Sequence, residues 1–186
     1  MDAAHAMFLR GEPDVSMEEI AAEAGLGVAT VYRRFPSKRD LVRAVLDREF
    51  DESVAPALHR VASESDPRAA MITTMEAALD FASRERLTFA AAANIGLTTM
   101  HLARRFAEPL GVVIRQGQQQ GAFRDDLEPE DALRLLLMLT GTFPSFAPGH
   151  DGWRRYMLLL VDGLAPQAAR SELPAPTPVI DHFPGL

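Results

Sequence analysis

Residues 16–46 read SMEEIAAEAGLGVATVYRRFPSKRDLVRAVL, and the signals in this stretch predict three short helices joined by two tight turns. Ser16, with Glu19 three residues on, has the form of a capping box, in which hydroxyl and carboxylate satisfy otherwise orphaned backbone N–H groups. Behind it Met17, Ile20, Ala21 and Ala24 recur at the spacing of one helical face. Gly25 is placed to stop that helix in a left-handed conformation, and Leu26 and Gly27 complete the turn. Val28 to Phe35 form the next helix, which Pro36 ends. Ser37 then caps a further helix, with Asp40 at the capping-box position and Leu41, Val42, Val45 and Leu46 as its buried stripe.

Two short helices around a glycine turn, the second basic and hydroxyl-bearing, are the sequence form of a helix-turn-helix. Val28, Val31 and Phe35 share a face expected to pack on Ile20 and Leu41, which turns Ala29, Thr30, Arg33 and Arg34 outward. An outward arginine can donate two hydrogen bonds to guanine in the major groove of double-stranded DNA, and Thr30 and Ala29 offer hydroxyl or methyl contacts. Tyr32 is expected to donate to a phosphate. Lys38 lies beside the amides that open a helix and reads as another phosphate contact.

Charge is distributed to suit this reading. The chain of 186 residues carries a net charge of −7, yet from Leu26 to Arg48 six basic residues (Arg33, Arg34, Lys38, Arg39, Arg43, Arg48) face only Asp40 and Asp47. From Asp51 onward 12 basic residues meet 17 acidic ones. A basic patch on an acidic body attracts phosphate locally without general stickiness; a solvated helix surface would show the same charges.

Outward from this core the periodicity stays helical, so the fold class is all-α. Ala4, Met7 and Phe8 mark a short first helix closed by Gly11 and Pro13. Asp66-Pro67 opens a helix bearing Ile72, Met75, Leu79 and Ala82 on one face, and Leu87 to Ile95 forms a shorter one ending near Gly96. A long helix follows with Leu102, Phe106, Leu110, Val113 and Gly117, where Pro109 is expected to introduce a bend. Glu128-Pro129 opens an apolar helix broken around Gly141 to Pro148, and Trp153 to Leu164 supplies the last. The expected division is 1–50 for the helix-turn-helix, 51–170 for an effector-binding and dimerisation domain, and 171–186 for a proline-rich tail.

The run from Ser16 to Leu46 resembles the signature region of the TetR family of helix-turn-helix regulators. The matching parts are A-x-x-A-G, G-V-x-x-x-x-Y-x-x-F and the following S-K, all in register. The resemblance implies DNA-contacting positions at Thr30, Tyr32, Arg33 and Lys38, and structural roles for Ile20, Ala21, Gly25, Val28, Val31 and Phe35. Gly121-Ala122-Phe123-Arg124 and Trp153-Arg154-Arg155-Tyr156 are similar to the approach and start of the family's last two helices. It further implies a four-helix dimer interface built from those two helices, and an effector cavity among the middle ones. Family members usually carry a basic arm before the first helix. This chain opens Met1-Asp2-Ala3-Ala4, and each phosphate that such an arm would neutralise accounts for about 0.9 of the salt slope of binding. Either this sequence starts late, or the protein grips DNA more weakly than its relatives and with a shallower slope.

Candidate effector contacts are Met71, Met75, Phe89, Met100, His101 and Phe106, because methionine adapts to varied apolar shapes. The same spacing also describes plain core. Leucines spread round the Ala132–Leu139 run call for cover on two sides. The expected homodimer interface therefore comprises Leu135, Leu136, Leu139, Trp153, Met157, Leu160, Val161 and Leu164. No cofactor and no metal are expected: the five histidines are scattered and cysteine is absent. Nucleophile-elbow, phosphate-loop and dinucleotide motifs are missing, which speaks against an enzyme. With no apolar run of about 18 or more residues and no secretory leader, a cytoplasmic location without membrane partners is expected. The expected function is a dimeric, ligand-responsive repressor of a palindromic operator, released by a small, largely apolar effector. An activator of the same fold, and a helical small-molecule binder without DNA binding, remain open at this point.

Overall fold

A computed structural model describes residues 1–12, 14–147 and 149–175, and the described residues contain ten α-helices and no strand. They are α1 (Asp2–Leu9), α2 (Met17–Glu23), α3 (Val28–Arg34), α4 (Lys38–Ser53), α5 (Ala55–Val61), α6 (Pro67–Arg84), α7 (Arg86–Asn94), α8 (Met100–Gln119), α9 (Pro129–Thr140) and α10 (Trp153–Gly163). Pro13, Pro148 and residues 176–186, including most of the expected tail, lie outside the described residues.

The caps explain why the N-terminal helices begin and end where they do. The Glu19 backbone N–H donates to Ser16 Oγ (3.2 Å) and the Ser16 N–H donates to Glu19 Oε2 (2.7 Å), completing the capping box of α2. The Ser16 N–H and the Ser16 hydroxyl, both donating to Glu19 Oε2, hold the Glu19 carboxyl below its ordinary pKa, the backbone N–H contributing most. Gly25 takes φ +64°, and the N–H of Leu26 reaches back to the Ala21 carbonyl at 2.9 Å, a Schellman closure. Ser37 Oγ accepts from the Asp40 N–H at the start of α4 (3.2 Å).

α1 lies against α2, α4 and α7, burying Ala4, Met7 and Phe8. α6 is the central helix of the larger part, packed by α5, α8, α9 and α10. α4 runs through position 50, and one continuous apolar core extends from Ala4 to Leu164. The short helix α5 is an addition to the elements expected from the sequence: Val54 is fully buried at its joint with α4, and Pro56 occupies its first turn. α8 continues through Pro109 as a single helix.

A candidate nucleic-acid interface and its links to the helical body

α3 presents the reading face. Ala29, Thr30, Tyr32, Arg33 and Arg34 are exposed, whereas Val31 points inward at 6% exposure. One inward expectation needs correction. Val28 is 39% exposed, whereas Phe35 is partly buried and packs against the core. With α3 just seven residues long, Val31 in its middle turn meets α2, while Val28 stands at the free first turn beside Gly27. Val28 thereby adds an apolar surface to the outer face, although helical spacing alone assigns it inward.

The polar candidates differ in readiness. Arg34 stacks its guanidinium 5.8 Å from the Phe35 ring centre. The Tyr32 hydroxyl donates to Glu18 Oε1 at 3.3 Å, so a phosphate must compete with that carboxylate; partial desolvation and the Glu18 charge raise the phenol's pKa. Lys38 is half-buried. Burial lowers its pKa while Asp14 and Glu19 pull the other way, so this ammonium sits in an acidic neighbourhood and less openly than the α3 side chains.

Three polar links join this unit to α7. His5 of α1 meets Glu85, the residue that precedes α7, at 2.9 Å. Arg39 of α4 donates to the Ile95 carbonyl at the far end of α7 (3.2 Å), and Asn94 Nδ2 donates to Asp14 Oδ1 (3.4 Å). Two more links join α4 to α8 at matching one-turn spacing: His101 Nε2 meets Asp47 (3.0 Å) and Arg105 donates to Asp51 (2.5 Å). The histidine and acid positions give no signal in the sequence because their partners lie 54 or 80 residues away.

The expected effector contacts do not gather round one opening. Met71 and Met75 are buried in the core. Phe106 packs edge-on to Phe50 (5.2 Å), Phe50 edge-on to Phe81 (5.6 Å), and Phe81 edge-on to Phe89 (5.7 Å), a chain of rings that fills the centre. Met100 and His101 are partly exposed. A groove of about 330 Å³ instead opens between α4, α5 and α8, lined among others by Phe50, Leu58, His59, Arg105, Glu108 and Val113. None of the six expected contacts lines it. Arg105 lies 3.8 Å over the Phe50 ring at its wall.

The expected dimer contacts also need correction. Trp153, Met157, Val161 and Leu164 are buried within the protomer, as are Leu136 and Leu139, while Leu135 and Leu160 are partly buried. The exposed apolar residues on the same two helices are Met138 (65%), Leu159 (57%), Tyr156 and Leu158. Helical spacing identifies a stripe but not its direction, and this stripe faces α6 and the other terminal helix.

Residues 1–45, which span this reader and its caps, match the family described as bacterial regulatory proteins, tetR family. The HTH-type transcriptional repressor KstR2 of Rhodococcus jostii strain RHA1 is 26% identical over 190 residues, 89% of each chain. The TetR family regulator PfmR from Thermus thermophilus shares the fold at TM-score 0.67 and 21% identity, covering 88% of this chain and 94% of that one. So does AibR in complex with isovaleryl coenzyme A and operator DNA, at TM-score 0.63 and 18% identity, over 88% and 94%. A capped helix-turn-helix on an all-helical body is thus similar to the TetR family of DNA-binding transcriptional regulators, in sequence over residues 1–45 and in fold over most of the chain.

Proposed function

We propose that the protein is a homodimeric, ligand-responsive repressor whose paired α3 helices read a near-palindromic operator. The observation that carries this reading is the outward row of Thr30, Arg33 and Arg34 on a helix held by capped neighbours. Thr30 and Arg33 address base edges, while Tyr32 and Lys38 address phosphates once released from Glu18 and from their acidic surroundings. Residues 1–50 act as the reader and 51–170 as the sensing and pairing body. The repressing sign is supported by the similarity to KstR2.

Dimerisation uses the outer face of α9 and α10, where Met138, Leu159, Leu158 and Tyr156 form an apolar surface. A two-fold arrangement sets two recognition helices about 34–36 Å apart, one turn of DNA. The effector enters between α4, α5 and α8. A fold neighbour in complex with isovaleryl coenzyme A and operator DNA supports an acyl-bearing effector class. Binding there shifts α4, which carries Lys38 at its start and Phe50 at the groove. A coupling of about 1–3 kcal/mol would change operator affinity 5–150-fold.

The test is titration of the purified protein against the DNA upstream of its own gene at several salt concentrations, beside Arg33→Ala. A short-chain acyl coenzyme A series is then added to the bound complex. Saturable, salt-dependent binding that Arg33→Ala abolishes and one thioester reverses is the expected result. Ligand binding that leaves operator affinity unchanged would sink the release mechanism.

A further inference from the structure

His5 is held between two carboxylates on other elements. Its Nε2 faces both oxygens of Glu85 (3.1 and 2.9 Å) and its Nδ1 faces Glu49 Oε1 of α4 (3.3 Å). The site is enclosed: the side chains of His5, Glu49 and Glu85 are 16%, 18% and 7% exposed. Thr88 Oγ1 of α7 donates to Glu85 (2.8 Å), and Arg48 donates to Glu49 through Nε (3.0 Å) and Nη2 (2.7 Å). Arg48 also pairs with Asp2 of α1 and approaches Glu52 at 3.9 Å.

Carboxylates stand at both ring nitrogens, hydrogen-bonded at Nε2 and within ion-pair range at Nδ1, and only a ring protonated at both turns an N–H toward each. The ring that closes both contacts is the imidazolium. Imidazolium and Arg48 then balance Glu49 and Glu85, and the enclosed network is neutral. A neutral ring keeps a single N–H, and one carboxylate must face a lone pair or turn away. The donor atoms of His5, Glu49 and Glu85 lie within 4.8 Å of one another, close enough to raise the question of a metal ion. The two carboxylates address opposite ring nitrogens, however, which suits a shared cation with two protons and not a metal bound at one nitrogen.

We propose that His5 is a proton-dependent positioning residue: as imidazolium it pins the reader's first helix to α4 and to the start of α7, and its deprotonation loosens that junction. The proton then acts as an effector of operator binding. A junction locked at pH 6 holds the reader in its binding arrangement beforehand, whereas a loosened one at pH 8.5 must be ordered during binding. The affinity consequence rests on the repressor reading; the junction itself does not.

The experiment therefore has a DNA-free arm. In uniformly ¹⁵N-labelled wild-type protein, the His5 ring resonances are expected to report both nitrogens protonated at pH 6. Amides of α1 should lose at least about fivefold protection from hydrogen exchange by pH 8.5, after allowance for the intrinsic rate, the low end of ordinary coupling energies. His5→Gln, which can donate but not titrate, should remove this pH dependence, and His101→Gln should retain it. On DNA upstream of the gene, wild-type affinity should fall by a similar factor over the same range, and that of His5→Gln should not. A single neutral tautomer throughout, or an exchange profile that His5→Gln leaves unchanged, overturns the proposal. So does stoichiometric Zn²⁺ uptake abolished by Glu85→Gln. The wild-type resonances decide the matter even if the variant does not fold.

Discussion

The ring of Phe123 lies against the backbone of Gly117, so close that a Cβ built at 117 would fall inside van der Waals contact with three of its ring carbons. Phe123 is 1% exposed, and the N–H groups of Ala122 and Phe123 both reach the Gly117 carbonyl (2.7 and 3.2 Å). α8 thus ends by folding its own exit loop back onto a bare turn of helix. Gly117→Ala is expected to destabilise the protein by about 2 kcal/mol, as overpacking outweighs the gain in helix propensity. Denaturant unfolding measures this. Combined with Phe123→Leu the losses should be less than additive, because the smaller side chain relieves the same clash.

Arg33 is exposed on α3, and the role proposed for it concerns DNA and not the fold. Arg33→Ala should leave the thermal midpoint nearly unchanged while costing about 1–3 kcal/mol of preference for the operator over a mismatched site. Competition binding at fixed salt separates the two. Equal loss on both DNAs would reassign Arg33 to phosphate contact.

Two apolar residues on α10 should fail in different ways. Leu159→Glu places a charge on the exposed face and is expected to yield a folded monomer, as is Met138→Glu on α9. Trp153→Ala empties a site that is 1% exposed and should cost about 3–5 kcal/mol of protomer stability. Sedimentation velocity beside thermal unfolding distinguishes them. A Leu159→Glu protein that remains dimeric would move the interface elsewhere.

Asp126 receives Nε and Nη2 of Arg124 (2.5 and 2.8 Å) and the N–H of Leu173 (3.3 Å). The Arg124 hydrogen bonds, chiefly, hold its carboxyl at about 2, below the ordinary 3.8. A folded-state pKa below the unfolded one means the folded chain prefers the carboxylate. This stabilising contribution is complete above about pH 4 and is lost as pH falls through about 2. Asp126→Asn should flatten that part of the acid-unfolding curve and loosen the 171–175 segment, which Arg124 also holds through the Ser171 carbonyl. Acid titration followed by circular dichroism, with exchange at Leu173, tests both.

Much of the reader is legible in the sequence because its signals are local. The Ser16–Glu19 box, the left-handed Gly25 and the Ser37 cap each act within a few residues, and each appears where the sequence places it. The helical body is legible in outline for the same reason, since Asp66-Pro67 and Glu128-Pro129 open α6 and α9. Helix α5 is not, because its seven residues are held by burial of Ala57 and Val61 against neighbours and not by a strong cap.

By itself the sequence determined that the chain is helical, where most helices start and stop, and that a basic, hydroxyl-bearing helix follows a glycine turn. These are properties of φ, ψ and hydrogen bonds among near neighbours. Only the tertiary structure decided which way the amphipathic stripes face. It turned Trp153, Met157 and Val161 inward, left Met138 and Leu159 outside, and exposed Val28 at the free end of α3. It also brought His5 to Glu85 and His101 to Asp47 across 80 and 54 residues of chain. A helical period fixes angles around one axis; the rotation of that axis against its neighbours is set by the packing of the whole core.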